Sequence, residues 1–328
     1  MADWEANVRR VVPYTPGEQP KRNDIIKLNT NECPYPPAPG VTKALQEFEA
    51  DKLRLYPDPA ALELREAIAA AVSIPEHPVA ADQVFVGVGS DDVLALAFLT
   101  FFNSKKPILF PDITYSFYDV WADLYGIPYR TPELDEWFRL KKEDYLNEND
   151  GIIFPNPNAP TGLMENLDTI EEIVATNPDS VVIVDEAYVD FGGVTALPLV
   201  DKYENLLVVQ TFSKSRALAG MRIGFAIGQK KLISYLNDVK FSFNSYTMNR
   251  LTIACGKACV EDSAYFQEIT GKIVATREWT KQKLTELGFT FPDSKANFIF
   301  ATHKSVPAGK IFQALRERHI YVRYFEKP

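Results

Sequence analysis

The chain has 328 residues, of which 46% are hydrophobic and 24% are charged. These fractions are typical of globular proteins and exclude a disordered chain, a collagen-like chain and a bundle of membrane helices. The formal net charge of −9 argues against nucleic acid as the main partner, because binding a phosphate backbone requires a basic surface.

The predicted elements begin with an irregular N-terminal arm, since seven prolines lie in the first forty residues. A helix is predicted at residues 60–72, after the turn YPDP, and further helical patterns lie at residues 92–102, 116–125 and 166–175. Between them are short apolar runs that predict strands: QVFVGV (83–88), PILF (107–110), GIIF (151–154), SVVIVD (180–185), NLLVVQ (205–210) and RIGFAI (222–227). Strands that are apolar throughout, separated by helices, predict an α/β fold with a mostly parallel sheet and helices on both faces.

Beyond residue 240 the pattern changes. A mostly helical stretch at 247–287 precedes a predicted strand at 296–300, a helix at 308–318 and a last strand at 320–325. We therefore predict an N-terminal arm at 1–30 that packs with a small domain, a large α/β domain at 31–240, and the small α+β domain at 241–328. Because the sequence ends directly after a predicted strand, we expect the small domain to be truncated.

The cysteines and the lack of a long apolar segment indicate the cellular compartment of the protein. The cysteines (Cys33, Cys255 and Cys259) cannot all pair with one another, which predicts free thiols, and the histidines are too scattered to complete a metal site. The N-terminal residues MADWEANVRR lack the apolar stretch of a secretory signal. The longest apolar run, residues 93–102, is too short to cross a bilayer. We expect a cytoplasmic protein with no membrane contact and no bound metal.

Polar residues follow several predicted strands, at the sheet edge where ligands bind in open α/β folds. Gly89 and Ser90 precede a helix, and free N–H groups at a helix N-terminus favour an anion such as phosphate. Serine is also an ordinary helix cap, so this signal alone is weak. Asp185 follows a buried strand, where a carboxylate is costly unless a cation or a donor meets it. It could hold a protonated ring nitrogen or a metal ion.

A lysine and an arginine follow the next strand. Lys214 lies in a stretch of small and apolar residues, where desolvation keeps part of the amine neutral, as an imine-forming lysine requires. Arg222 follows, and its guanidinium has the geometry to grip a phosphate. A phosphate cradle, a buried aspartate, a lysine and an arginine are together the parts that hold pyridoxal phosphate, whose ring acts as an electron sink.

The stretch TFSKSRALAG (211–220) resembles the lysine signature of the class II, fold-type I aminotransferases, which depend on pyridoxal phosphate. Within this group the sequence is most similar to the histidinol-phosphate aminotransferase branch. The supporting motifs occur in the family's order and span nearly the whole chain: NVRRVVPY (7–14), LNTNECPY (28–35), YPDP (56–59), GVGSDD (87–92), PNAPTG (157–162), VDEAYVDF (184–191), KANFIF (295–300) and VRYF (322–325).

The resemblance implies a role for each matching residue. Lys214 is the expected Schiff-base lysine and proton carrier, Asp185 the partner of the pyridine nitrogen, and Tyr188 a donor to the ring's phenolic oxygen. Tyr115 is expected to stack on the ring. The other residues that the resemblance places around the phosphate are Ser90, Asp91, Ser213 and Arg222.

Further positions bear on the substrate and on assembly. The resemblance implies that Tyr56 reaches the cofactor phosphate of a neighbouring subunit, so we expect a homodimer with shared sites. Tyr56 could instead pack under its own Pro57–Pro59 turn. Tyr14, Asn31 and Arg323 match substrate-side positions of the family.

The sequence departs from the family pattern at two places. The family commonly carries asparagine directly before Pro-Thr-Gly, but this position is Ala159. We expect Asn158 to replace it as the contact to the ring oxygen, with Asn156 as the alternative. The family also carries a second arginine after the position of Arg323, and the sequence has none there. We therefore expect a weakened grip on the substrate if the chain is complete.

The resemblance implies transamination between histidinol phosphate and 2-oxoglutarate. Two other enzyme activities stay open: an aromatic amino-acid aminotransferase and a threonine-phosphate decarboxylase. A third alternative is a protein that binds pyridoxal phosphate without turnover, either as a regulatory module or because of the short C-terminus.

Overall fold

The computed structural model describes residues 3–21 and 24–326. Its strands are β1 (Ile26–Lys27), β2 (Val84–Gly87), β3 (Ile108–Leu109), β4 (Tyr129–Arg130), β5 (Gly151–Pro155), β6 (Val181–Asp185), β7 (Leu206–Thr211), β8 (Gly224–Gly228), β9 (Phe289–Thr290), β10 (Thr302–His303) and β11 (Ile320–Tyr321). Its α-helices are α1 (Pro39–Glu47), α2 (Leu62–Val72), α3 (Ser90–Phe101), α4 (Tyr118–Tyr125), α5 (Leu167–Thr176), α6 (Lys230–Phe243), α7 (Arg250–Val260), α8 (Ser263–Glu286) and α9 (Ala308–Glu317). Short 3-10 helices lie at Asp3–Asn7, Ala50–Arg54, Ala81–Gln83, Lys142–Tyr145, Val189–Phe191, Leu197–Leu199 and Ala219–Met221.

A seven-stranded sheet lies at the centre of the fold, in the strand order β2-β8-β7-β6-β5-β3-β4. The pairs from β7 to β4 are parallel, and β8 runs antiparallel to both β7 and β2. The connection from β7 to β8 contains no crossover helix, which an antiparallel pair does not need. The prediction of a mostly parallel sheet is confirmed.

Side chains of the central strands alternate between two cores. In β6, Val182 and Val184 face a core shared with α2, α5 and α7, whereas Ile183 faces a core shared with α3, α4 and α6. Leu206 and Leu207 of β7 divide between the same two cores. Both faces of the sheet are therefore covered, which explains why these strands are apolar up to their carboxyl ends.

Two predicted strands in the C-terminal part are wrong or too long. Residues 296–300 form no strand, because the hydroxyl of Ser294 donates to the carbonyl of Phe298 at 2.6 Å and accepts from the N–H of Ala296 at 3.1 Å, which turns the backbone. The strand predicted at 320–325 is reduced to β11, which pairs with β1 of the arm in parallel. The short strands β1, β4, β9 and β10 were not predicted.

The contacts of the N-terminal arm and of α7 can be compared with the predicted domain boundaries. Through β1 and β11, the arm contacts the C-terminal part of the chain. Helix α7, although it follows residue 240, packs on α1 and α2, and its Cys255 and Cys259 lie in the core beneath the sheet. The division of the chain at residues 30 and 240 stays a prediction.

Within residues 3–21 and 24–326, every helix is too short or too polar to span a membrane.

Candidate active site

Asp185 ends strand β6 at the carboxyl edge of the sheet, and its side chain is buried. The hydroxyl of Tyr118 donates to its Oδ2 at 2.9 Å, and the N–H of Ala187 donates to its Oδ1 at 3.2 Å. Burial raises the pKa of Asp185 to about 6, since these neutral donors offset only part of the cost of desolvating the charge. The carboxylate is thus suited to a cationic N–H donor.

The N-terminus of α3 lies close to strand β8. Gly89 precedes α3 with φ +90°, and a Cβ added there would lie 2.4 Å from Nη2 of Arg222. A Cβ added to Gly224 would lie 2.2 Å from the backbone nitrogen of Ser90. The guanidinium of Arg222 therefore lies directly against the first turn of α3. The helix N-terminus and the cation together form a cradle for an anion.

Asp91 joins this cradle to the aromatic residue expected to stack on the cofactor ring. Its Oδ2 lies 3.5 Å from Nη2 of Arg222, and its Oδ1 accepts from the hydroxyl of Tyr115 at 2.9 Å. Burial raises the pKa of Tyr115 strongly, so this hydroxyl stays a donor. Because the carboxylate is engaged with these two partners, the group that Asp91 offers an anion is its backbone N–H.

Lys214 follows β7 and is partly buried. Its Nζ donates to the carbonyl of Thr30 at 3.0 Å and lies 5.6 Å from the centre of the Tyr188 ring. The preceding residue, Ser213, accepts a hydrogen bond on its Oγ from the hydroxyl of Thr211 at 3.1 Å. Lys214 therefore lies between the end of β6 and the N-terminal arm.

Tyr188 contacts two segments from opposite ends of the chain. The side-chain amide of Asn31 donates to the Tyr188 hydroxyl at 3.1 Å. The ring of Phe298 packs edge-on against the Tyr188 ring, with the centroids 4.9 Å apart. Asn31 thus lies on the Tyr188 side of the site, near Lys214.

The two asparagines of the PNAPTG region are used differently. Asn156 is tied to the backbone of Glu165, accepting its N–H at 2.8 Å and donating to its carbonyl at 3.4 Å. The amide of Asn158 donates to the carbonyl of Ile113 at 3.1 Å and to the hydroxyl of Thr161 at 3.0 Å. Its Oδ1 is buried and has no hydrogen-bond partner among the described residues. Asn158 rather than Asn156 therefore keeps a polar atom for a ligand, whereas Ala159 has none to offer.

The remaining predicted residues lie at the edges of the site. The Tyr14 ring stacks on Phe117, with the centroids 4.1 Å apart, and Phe117 in turn contacts Tyr115. Arg323 is exposed, and its Nη1 would lie 3.9 Å from a Cβ added to Gly17 of the arm. Tyr14, in the arm, thus lies next to the aromatic residues around Tyr115, and Arg323 lies beside the arm at Gly17.

Tyr56 lies outside this group of residues, with 75% of its surface exposed. Its ring stacks on Tyr246, with the centroids 4.6 Å apart, rather than packing under its own turn. Arg250 donates to the carbonyl oxygens of both Leu55 and Tyr56, which fixes the backbone of this segment. The Tyr56 hydroxyl is therefore presented at the surface.

Two groups of residues near the site were not predicted from the sequence. Tyr118 has the pattern of a core aromatic on a helix, and nothing in the sequence indicates its bond to Asp185. Asp190 is partly buried, accepts a hydrogen bond from the hydroxyl of Ser215, and lies near the guanidinium of Arg216. This pair anchors the backbone directly after Lys214. A carboxylate inside the apolar stretch VDF was the available signal.

These residues fit pyridoxal phosphate. The buried carboxylate of Asp185 meets neutral donors, the Oδ1 of Asn158 is buried without a partner in the described part of the chain, and the position beside Gly89 is too tight for a Cβ. The carboxylate suits a protonated ring nitrogen, the tight turn beside Arg222 suits a phosphate, and the unpartnered amide oxygen suits a group that donates a hydrogen bond. Lys214 has an amine that would meet the aldehyde of the cofactor.

A family model described as aminotransferase class I and II matches residues 23–328. Two solved structures share the fold: the histidinol-phosphate aminotransferase from Sinorhizobium meliloti in complex with pyridoxal-5'-phosphate, and that from Clostridium acetobutylicum. The TM-scores are 0.81 and 0.82, at 22% and 21% identity. The alignments cover 92% and 91% of this chain, and 83% and 89% of the two solved chains. The chain belongs to the aminotransferase class I and II family, with the fold-type I architecture.

Curated relatives indicate which branch of the aminotransferase family this chain resembles. Histidinol-phosphate aminotransferase 2 of Dechloromonas aromatica is 54% identical, over 99% of this chain and 91% of its own length. Histidinol-phosphate aminotransferase of Lactococcus lactis subsp. cremoris is 51% identical, over 99% of this chain and 90% of its own. The predicted resemblance to this branch is confirmed, as are an aminotransferase activity and pyridoxal phosphate as the cofactor. The roles of the individual site residues stay predictions.

Proposed function

We propose that this enzyme transfers the amino group of L-histidinol phosphate to 2-oxoglutarate, a reaction of histidine biosynthesis. The observation that carries the proposal is the 51–54% identity to histidinol-phosphate aminotransferases over nearly the whole chain. The alternatives, an aromatic aminotransferase, a threonine-phosphate decarboxylase and a protein without turnover, have no comparable support.

The cofactor side of the reaction follows from the site. When bound, pyridoxal phosphate supplies an aldehyde for the substrate amine and a ring that accepts the electron pair released at the substrate carbon. Asp185 would hold a proton on the ring nitrogen, and Tyr188 would donate to the ring oxygen. Lys214 would hold the cofactor and then move a proton to and from the substrate carbon through Nζ. The hydrogen bond from its Nζ to the Thr30 carbonyl supports a placement of the amine within the site, next to the N-terminal arm.

The phosphate of the cofactor would lie in the cradle formed by the N-terminus of α3 and Arg222, with Ser90, the backbone of Asp91 and Ser213 around it. Tyr115 would cover the ring, held in place by its hydrogen bond to Asp91. Asn158 would contact the ring oxygen by donating from its side-chain Nδ2, because the ring oxygen accepts hydrogen bonds and the unpartnered Oδ1 of Asn158 cannot donate one.

On the substrate side, Arg323 supplies a positive charge for a phosphorylated amine. Tyr14 and Asn31 are the arm residues expected to contact the substrate. A phosphate requires cationic or polar donors, whereas an aromatic amino acid requires an apolar pocket with a clamp for its carboxylate. The position of Arg323 beside the arm supports the former.

Purified enzyme supplied with pyridoxal phosphate, 2-oxoglutarate and one amine at a time tests the proposal, with glutamate formation as the readout. We expect glutamate from histidinol phosphate and none from the Lys214→Ala variant. Glutamate from phenylalanine but not from histidinol phosphate would identify an aromatic aminotransferase instead. Release of carbon dioxide from threonine phosphate would identify the decarboxylase, and cofactor binding with no product from any amine would identify a protein without turnover.

We further propose a homodimer in which Tyr56 of each chain contacts the cofactor phosphate of the other. The support is the exposure of Tyr56 at the surface and its stacking on Tyr246, which is also exposed. A cytoplasmic location is proposed as well, since Cys33, Cys255 and Cys259 are free thiols.

A further inference from the structure

Residues 294–300 pass the site as an irregular segment, and Asn297 in this segment has no role in the reaction described above. Its side-chain Nδ2 donates to the carbonyl of Asn31 at 3.0 Å. Its Oδ1 is buried and meets no hydrogen-bond partner within the described ranges. An unmet buried acceptor is costly, and the bond to Asn31 is the hydrogen bond that holds this side chain in place.

The backbone that Asn297 holds is strained. Asn31 has φ +55°, in the left-handed region that residues other than glycine adopt rarely. Such conformations persist where surrounding contacts determine them, and they cluster at functional sites. The hydrogen bond from Asn297 to the carbonyl of Asn31 is one such contact.

The strained turn reaches two residues of the cofactor site. The side chain of Asn31 donates to the hydroxyl of Tyr188 at 3.1 Å, and the carbonyl of the preceding Thr30 accepts from Nζ of Lys214 at 3.0 Å. If the turn relaxed, both contacts would be lost together. Asn297 is therefore linked to both residues through one short segment of backbone.

The bond from Asn31 also determines where the proton of Tyr188 points. Because an amide N–H already occupies a lone pair of Oη, the hydroxyl proton is free for another acceptor, and the ring oxygen of the cofactor is that acceptor in the proposed function. The titratable groups near this hydroxyl are Lys214, which faces the ring, and Asp185, three residues earlier in the chain.

We propose that Asn297 is a positioning residue of this aminotransferase. It fixes the left-handed turn at Asn31, so that Tyr188 directs its proton to the cofactor, and it orients the free amine of Lys214 through Thr30 before the cofactor is attached. The inference rests on the proposed roles of Tyr188 and Lys214 and is independent of which amine is the substrate. It does not require Asn297 to touch the cofactor.

A pH titration of the visible absorbance of the bound cofactor, without substrate, tests this role. A donor to the ring oxygen stabilises negative charge there and favours the deprotonated form. Loss of the donor therefore raises the pH at which the absorbance changes. We expect Asn297→Ala and Asn297→Asp each to raise this midpoint by about half a unit to one unit, since aspartate has the same size but no N–H to donate.

A double-mutant cycle separates positioning from general loosening. Tyr188→Phe should raise the midpoint as well, and Tyr188→Phe combined with Asn297→Ala should raise it no further than Tyr188→Phe alone. The matched control is Asn29→Ala, which removes a 2.8 Å hydrogen bond from the same arm segment to the carbonyl of Glu18 and should leave the midpoint unchanged.

Three outcomes would overturn the proposal: an unchanged midpoint in both Asn297 variants, an equal shift in Asn29→Ala, or additive shifts in the double variant. A failure of histidinol phosphate as substrate would leave all these titrations unaffected. The two proposals therefore fail separately.

Discussion

Asp185 is the residue at which burial and chemistry oppose each other most directly. Its pKa of about 6, raised by burial, means that in the cofactor-free protein the carboxyl becomes protonated as the pH falls through 6. A protonated carboxyl has lost its negative charge, so it accepts a hydrogen bond from a protonated ring nitrogen less favourably than a carboxylate does. Cofactor binding must then displace a proton, and this costs affinity at low pH.

The affinity for pyridoxal phosphate should therefore fall below about pH 6, by up to tenfold per pH unit, and should be constant above it. Tyr118→Phe removes a donor that favours the ionised carboxylate, and so should move the onset of this fall to higher pH. Fluorescence titrations with the cofactor between pH 5 and 8 measure both effects.

Tyr145→Phe is the control for this experiment, since Tyr145 is also a buried tyrosine but lies in the other core, and its hydroxyl is unpartnered within the described chain. Its pH profile should match that of the wild type. Asp185→Asn should bind weakly at every pH with no onset near 6. The same onset in Asp185→Asn as in the wild type would assign the dependence to a different group.

The contrast between Asp185 and Tyr118 shows what sequence can reveal about single residues. A carboxylate after an apolar strand and a lysine after the next one are unusual enough to indicate chemistry. Tyr118 has no such signal, because a tyrosine on the apolar face of a helix is an ordinary core residue. Its function depends on a partner 67 positions away in the chain.

Among the elements, the contact between β8 and the N-terminus of α3 shapes the anion cradle. Gly224 in β8 allows it, because a side chain there would meet backbone atoms rather than a flexible neighbour. The nearest atoms, the nitrogen of Ser90 and the carbonyl of Gly89, would lie 2.2 to 2.6 Å from the added Cβ. Relief would require α3 to move away from the sheet.

Gly224→Ala should therefore destabilise the protein by about 3 kcal/mol or more and weaken pyridoxal phosphate binding, because it displaces the donors at the start of α3. Urea unfolding and cofactor titration measure the two effects. Gly220→Ala, in the same connection but with open space around the added Cβ, should change stability by less than about 1 kcal/mol. Equal stability of the two variants would contradict the packing argument.

The sequence predicts an element well when burial alone determines the hydrophobic pattern of its residues. Strands β5, β6 and β7 are buried on both faces and are apolar up to the polar residues that end β6 and β7, so the signal is strong. The pattern fails at residues 296–300. There the apolar side chains do not share a face: Phe298 packs on Tyr188, whereas Phe300 packs on Phe138 and Phe325. An apolar run serving separate contacts looks the same as a strand in the sequence.

At the scale of the whole molecule, the proposed sharing of sites between two subunits can be tested only in a dimer. Tyr56→Phe keeps the ring that stacks on Tyr246 and removes one hydroxyl, so we expect pyridoxal phosphate affinity to fall by about tenfold or less. Lys214→Ala abolishes the attachment of the cofactor. A mixed dimer of these two variants would contain one site with both Lys214 and the partner's Tyr56 intact.

Co-expression of the two variants with different affinity tags yields this mixed dimer for cofactor titration. Restoration of wild-type affinity at its single intact site is the expected result. Affinity that stays as low as in the Tyr56→Phe homodimer would mean that Tyr56 acts within its own chain. Sedimentation of the wild-type holoenzyme as a strict monomer with full cofactor occupancy would contradict the shared site altogether.

The contacts around the arm also have a consequence for how the molecule folds. Tyr188, Lys214 and Asn297 bond to the arm across 157, 184 and 266 positions of chain. Contacts of such long range form late, since the entropy of closing large loops must be overcome before they contribute. On the ribosome the arm is made long before Asn297, so this contact is missing until the 266 positions between them have been synthesised. The central sheet can therefore form while the arm is still undocked, and the arm closes over the cofactor site among the last steps of folding.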